Sequence, residues 1–123
     1  MIKVLSGVCL MVVEDDPLMG LLMADVLSDA GAEVVGPFAT VTEATAAADG
    51  VALDGAVLDV QLLDGASYPV ASHLEARSIP YAFLSSSDPA ATPKDLHPVD
   101  FLPKPARRAE VIGLCQRVLS ARA

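Results

Sequence analysis

Short runs of apolar residues alternate along this chain with stretches whose apolar positions fall at helical spacing. Val8 to Val13 is continuous and apolar and predicts a first strand. Glu33 to Val35 predicts a short second, Ala56 to Leu58 a third that runs to Asp59, Tyr81 to Leu84 a fourth and Val99 to Leu102 a fifth. The third run has no polar alternation, as a strand buried on both faces of a parallel sheet requires. After the first strand, Asp16-Pro17 supplies an N-cap and a proline at the first helical position. Leu18, Leu21, Leu22 and Val26 follow at helical spacing, and Gly31 marks the stop. Thr40 with Glu43 forms a capping box that opens an alanine-rich helix ending near Gly50. Behind the Asp64-Gly65 turn, Tyr68 to Ala76 predicts another helix with Pro69 in its first turn. The last helix is predicted from Pro105, with Val111, Leu114, Cys115 and Val118 on one face. Strand and helix alternate, which predicts an α/β fold: a doubly wound, five-stranded parallel sheet flanked by about five helices.

One segment breaks the rhythm. Asp88 to Pro98 stands where the fourth helix is due, yet it carries Pro89, Pro93 and Pro98. Proline inside a helix costs about 3 kcal/mol, because it removes a backbone donor and clashes with the preceding turn. Asp88 can cap a helix ahead of Pro89, but Pro93 cannot sit mid-helix. The expectation is a short or distorted fourth helix, starting only near Thr92-Pro93.

The conspicuous polar groups fall at the carboxyl ends of these strands, where open α/β sheets form their ligand crevice. The first strand supplies Glu14 and Asp15, the third Asp59, the fourth Ser85 and the fifth Lys104. Three carboxylates converging on one crevice repel each other, and a bound cation or protonation relieves that. Hard oxygen ligands in small number suit Mg2+, which keeps several waters and bridges to phosphate. Lys104 adds a point charge for a transferred phosphoryl oxygen, and the Ser85 hydroxyl can donate to the same oxygens. This set predicts phosphoryl transfer to a carboxylate nucleophile, Asp59.

Composition narrows the class. With 123 residues the chain is expected to form one domain, 1–123, too short for a second module; 53% hydrophobic content makes it globular rather than disordered. A net charge of −8 argues against a nucleic-acid surface, which needs clustered Lys and Arg. Cys9 and Cys115 are isolated and apolar in setting, so they predict neither a disulfide framework nor a zinc site. No apolar span is long enough to cross a membrane, and Met1 to Leu10 lacks the build of a signal peptide, so a cytoplasmic location is expected.

The residues Val12-Val13-Glu14-Asp15-Asp16-Pro17, Val57-Leu58-Asp59, Ser85 behind an apolar strand and Lys104-Pro105, in that order and spacing, resemble the receiver domain of bacterial two-component response regulators over nearly the whole chain. The resemblance implies a flavodoxin-like sheet of order 2-1-3-4-5, the order of the chemotaxis member of that family. It implies Asp59 as phosphoacceptor, Asp15 as direct Mg2+ ligand, Glu14 as ligand through water and Gln61 as ligand through its backbone carbonyl. Ser85 and Phe101 match the family's conserved hydroxyl and switch aromatic, Lys104 its lysine, and the Lys104-Pro105 bond is expected to be cis. The implied partners are a histidine kinase or histidine phosphotransfer protein and a downstream protein target, for a stand-alone regulator that is not an enzyme. Two departures stand out: Ser85-Ser86-Ser87 replaces the Thr-Gly-Tyr of an alphaproteobacterial stand-alone group, and the fourth helix is proline-rich.

Bland readings cover other conspicuous residues. Asp16 is a cap, His73 and His97 have no paired ligand at metal spacing, and Arg107 and Arg108 are solvated. Two other functions compete. An aspartyl-phosphate phosphatase of the haloacid dehalogenase type wants a second acid two residues after its nucleophile, where this chain has Gln61. A receiver-like binding module that is never phosphorylated has no need of the acid pair, Asp59 and Lys104.

Overall fold

The computed structural model describes residues 3–122; Met1, Ile2 and Ala123 lie outside the described residues. The chain runs β1 (Cys9–Val13), α1 (Pro17–Asp29), β2 (Glu33–Phe38), α2 (Val41–Gly50), β3 (Gly55–Leu58), β4 (Gln61–Leu62), β5 (Gly65–Ala66), α3 (Tyr68–Ala76), β6 (Tyr81–Ser85), β7 (Phe101–Pro103) and α4 (Arg108–Ser120). Five strands form one parallel sheet in the order β2-β1-β3-β6-β7, the expected 2-1-3-4-5 when its strands alone are counted. β4 and β5 make a separate antiparallel hairpin directly behind β3, where only a turn was expected.

The sheet has two cores because successive side chains of a strand face opposite ways. Leu10 and Val12 of β1, Val57 of β3, and Ala82 and Leu84 of β6 face α1 and α4. Met11 and Val13, Ala56 and Leu58, Tyr81 and Phe83 face α2 and α3. Small residues set the spacing of both layers. Ala44, Ala47 and Ala48 of α2 are buried against the sheet, and a Cβ on Gly55 would come within 2.6 Å of Val118 on α4. All four apolar positions expected on the last helix, Val111, Leu114, Cys115 and Val118, are buried.

Helix ends follow the local chemistry. Asp16 Oδ1 accepts the amides of Leu18 and Met19 at 3.0 and 3.3 Å, so it caps α1. Past the other end, Gly31 takes φ +103, a region open to glycine, and a Cβ there would strike Lys3 and Ser6. Thr40 Oγ1 accepts the Glu43 amide at 3.2 Å and donates to the Glu43 carboxylate at 3.0 Å.

Several boundaries differ from expectation. The segment between β6 and β7 holds only a 3-10 turn, Pro89–Ala91, capped by Asp88. That turn lies ahead of Thr92-Pro93 and not behind it, because Asp88 accepts the Ala90 amide at 2.9 Å and Pro93 stops any continuation. Four α-helices are therefore described where about five were expected. The whole segment between β6 and β7, residues 86–100, is a strap that returns to the core at Leu96, which is buried. Helix α4 starts at Arg108 rather than at Pro105, with Glu110 accepting the Arg107 amide at 2.9 Å. β2 extends past Val35 to Phe38 through an irregular register with β1. In α1 the buried face is Gly20, Met23 and Leu27, while Leu18, Leu21 and Leu22 are exposed. The Lys104-Pro105 bond is cis as expected, and Gly36-Pro37 is cis as well.

Candidate functional site

The carboxyl ends of β1, β3, β6 and β7 lie at one edge of the sheet, and the polar residues at or just past them share a crevice. Asp59 continues β3, and its own amide donates to Val13 O at 2.8 Å, so the chain leaving β3 is still tied to β1. The residue is nearly enclosed, at 8% exposure. Oδ1 accepts the Ser85 hydroxyl at 2.7 Å and the Val60 amide at 2.7 Å, and Oδ2 accepts the Lys104 ammonium at 3.0 Å. Each oxygen of this carboxylate therefore has a donor from a different strand end.

Lys104 also donates to Glu14, which is buried at 3% exposure and accepts the Asp16 amide at 3.2 Å. Glu14, Asp15 and Asp59 each bring one carboxylate oxygen into a group lying within 4.8 Å of one another. Among the described residues this is the one cluster of its kind. Ser85 is buried, its carbonyl accepts the Lys104 amide at 3.1 Å, and its hydroxyl also accepts the Ser87 amide at 3.2 Å. A shift of Ser85 would therefore be felt both by Lys104 and by the start of the strap.

Electrostatics divide the two central acids. Burial pushes Glu14 up to about 7, against hydrogen bonds from Lys104 and the Asp16 amide that pull it down, and the charge of Asp59 adds to the rise. Burial acts on Asp59 in the same sense, but hydrogen bonds from Ser85, Lys104 and Glu14 outweigh it and hold Asp59 below its ordinary value. For Lys104, burial would lower the pKa, and its contacts with Glu14 and Asp59 raise it instead. Asp59 is thus ionised at neutral pH and Lys104 is charged, while Glu14 is poised between its two forms. One ammonium does not neutralise three acids. A hard cation fits this donor set, and oxygens from Glu14, Asp15 and Asp59 are the ones that would hold it.

The other expected site residues lie nearby or in sequence next to it. Gln61 opens the hairpin and its side chain is exposed. Phe101 is half-buried on β7 and packs at 5.8 Å between ring centroids against Phe83, which also meets Tyr68 and Tyr81 edge to face. The residues given bland readings behave accordingly: His73 pairs with Asp49, Arg107 with Glu110 and Arg108 with Asp29. Two carboxylates had no role in the sequence reading. Glu75 on α3 accepts the Tyr81 hydroxyl and the His97 amide, pinning the end of the strap. Asp64 lies in the hairpin turn and accepts from the first turn of α2. A turn signal marks Asp64 in the sequence, but nothing local announces either distant partner.

No family model and no curated protein matches the chain. Solved structures do. The non-phosphorylated receiver domain of HemR from Leptospira biflexa is 27% identical with a TM-score of 0.78, covering 91% of this chain and 94% of that one. The response regulator PhyR from Brucella abortus is 26% identical with a TM-score of 0.81, covering 97% of this chain and 50% of that one. The receiver domain of the sensor histidine kinase PA1611 from Pseudomonas aeruginosa PAO1, with a magnesium ion coordinated in its active-site cleft, is 23% identical with a TM-score of 0.80, covering 94% and 99%. The protein has the fold of response-regulator receiver domains, in agreement with the resemblance carried by its motifs. Domains of this kind are signalling modules of two-component systems.

Proposed function

We propose that this protein is a phosphorylatable response regulator that accepts a phosphoryl group on Asp59. The observation that carries this reading is the Asp59 carboxylate, held by Ser85 and Lys104 beside the carboxylates of Glu14 and Asp15. The donor would be a phosphohistidine of a histidine kinase or histidine phosphotransfer protein. An Asp59 oxygen attacks phosphorus, the P–N bond breaks with its electron pair going to the ring nitrogen, and the imidazole leaves neutral, keeping the proton already on its other nitrogen. The low pKa of Asp59 keeps the nucleophile ionised. Glu14, Asp15 and Asp59, with the backbone carbonyl of Gln61, would hold Mg2+, which when bound supplies positive charge opposite the phosphoryl oxygens. Lys104 and Ser85, already donating to Asp59, are within reach of those new oxygens.

Output follows from the same contacts. If Ser85 turns its hydroxyl to a phosphoryl oxygen, the Ser87 amide loses an acceptor and the strap begins to move. Phe101, half-buried beside Phe83, can fill the space this opens. Phosphate then favours one of two packings through differential contacts, and a downstream protein or a further phosphorelay step reads the result. The acidic chain, at net charge −8, offers no electrostatic footprint for nucleic acid. No helix of the described residues is long and apolar enough to cross a membrane, and a cytoplasmic location belongs to this proposal. Incubation with acetyl phosphate and Mg2+ should label the protein, EDTA should abolish labelling, and neutral hydroxylamine should strip the label, as an acyl phosphate requires. A label stable to hydroxylamine would place the phosphate on another side chain and overturn the proposal.

A further inference from the structure

The chain leaving the acceptor does not wander as an ordinary loop. It folds into the β4–β5 hairpin, whose turn residues are Leu63 and Asp64. Leu63 is 72% exposed, so core packing does not locate the tip. Hydrogen bonds to the start of α2 do. Asp64 Oδ1 accepts the Val41 amide at 2.6 Å, and Oδ2 accepts the Thr42 hydroxyl at 3.3 Å and the Thr42 amide at 3.4 Å. The Leu63 amide donates to Ala39 O at 3.1 Å.

Helix α2 therefore has two N-terminal caps. Thr40 satisfies the Glu43 amide from within the local sequence, and Asp64 satisfies the Val41 and Thr42 amides from across the turn. A carboxylate is favoured at this position both by the unpaired amides and by the helix dipole. The bonds run both ways: what caps the helix also holds the hairpin. At the near end of that hairpin lie Asp59, Val60, whose amide meets Asp59 Oδ1, and Gln61.

We infer that Asp64 is a positioning residue for the acidic site: by binding the hairpin tip to α2 it sets where the backbone of residues 59–62 stands against Glu14 and Asp15. The inference rests on the reading of those acids as a Mg2+ and phosphoryl site. It differs from a purely structural role in one respect. Thr40 caps the same helix through hydrogen bonds to Glu43 and makes none to the hairpin, so loss of Thr40 should weaken the helix alone.

The test compares the parent with Asp64→Ala, Asp64→Asn and Thr40→Ala. Mg2+ titration followed by NMR gives the affinity, thermal melts give the stability, and hydrogen exchange reads the Gln61 to Ala66 amides. Outer supports of a metal site typically carry 10- to 100-fold in affinity. From an exposed tie we expect the low end, about tenfold, in Asp64→Ala. Asp64→Asn keeps an oxygen for the Val41 amide and should fall between, which also covers an alanine variant that folds poorly. Thr40→Ala should lose melting temperature but keep the parent's Mg2+ affinity and hairpin exchange. Parental affinity in Asp64→Ala, or an equal loss in Thr40→Ala, would overturn the inference. A parent that binds no Mg2+ would overturn the site reading instead. In that case hairpin exchange decides the positioning: faster exchange in Asp64→Ala alone supports it, and unchanged exchange overturns it.

Discussion

Replacing Glu14 by Gln should stabilise the metal-free protein at pH 8 and leave it little changed at pH 5. Burial raises Glu14 from its ordinary 4.5 to about 7, so the folded state binds this proton more tightly than the unfolded chain does. The stability this contributes is fully present below pH 4.5 or so and is lost as pH rises through about 7. At 1.36 kcal/mol per unit the shift amounts to roughly 3 kcal/mol between the two forms. The amide keeps an acceptor oxygen for Lys104 but loses its charge, and Lys104 then leans on Asp59 alone. We therefore expect a net gain of about 1–2 kcal/mol at pH 8, or roughly 3–8 °C in melting temperature. The other two site groups do not confuse this window. Asp59, lowered from 3.8, loses its contribution only as pH falls below that value, and Lys104, raised from 10.5, only as pH climbs above it. Thermal unfolding by circular dichroism in EDTA, from pH 5 to pH 8, measures the difference directly. Added Mg2+ at pH 8 should stabilise the parent more than the variant, because a ligand of the folded state acts through its own affinity. A pH-independent difference, or a variant less stable at pH 8, would refute the reasoning and make the Lys104 pair a net stabiliser of ionised Glu14.

Two further outcomes follow from the strap. Ser85→Ala should still accept phosphate, yet beryllofluoride should then shift the NMR signals of residues 86–93 and Phe101 much less than in the parent, since the hydroxyl that links Asp59 to the Ser87 amide is gone; an unchanged response would route the switch through Lys104. Leu96→Ala removes the buried anchor of the strap and should cost about 2–3 kcal/mol, the low end for a core leucine because a loop can partly collapse into the space. Chemical denaturation checks that value, with faster exchange at the His97 amide as its local sign.

Much of the fold was legible because its three central strands, β1, β3 and β6, are buried on both faces, so each is an apolar run with a polar residue at its end or just past it. Val57-Leu58-Asp59 and Leu84-Ser85 are of that kind, and the crevice they build could be read from order alone. Helix α1 was harder. It is apolar on most sides, so helical spacing through Leu18, Leu21 and Leu22 could not say that Gly20, Met23 and Leu27 form the buried face. The start of α4 was placed too early at Pro105 because proline favours a first turn, whereas here the Arg107–Glu110 cap outweighs it. Pro93 did announce the missing helix, but Asp88 decided where the remaining turn lies. The roles of Asp64 and Glu75 depend on partners more than twenty residues away, Val41 and His97, and no local pattern encodes such pairs.

The measurement that bears most directly on the central claim is the intact mass of the parent and of Asp59→Ala after incubation with acetyl phosphate and Mg2+. The parent should gain the mass of one phosphoryl group, and the variant, which keeps Glu14, Asp15 and Lys104, should gain none. A variant labelled to the same extent as the parent would contradict Asp59 as the acceptor, and with it the function proposed for this site.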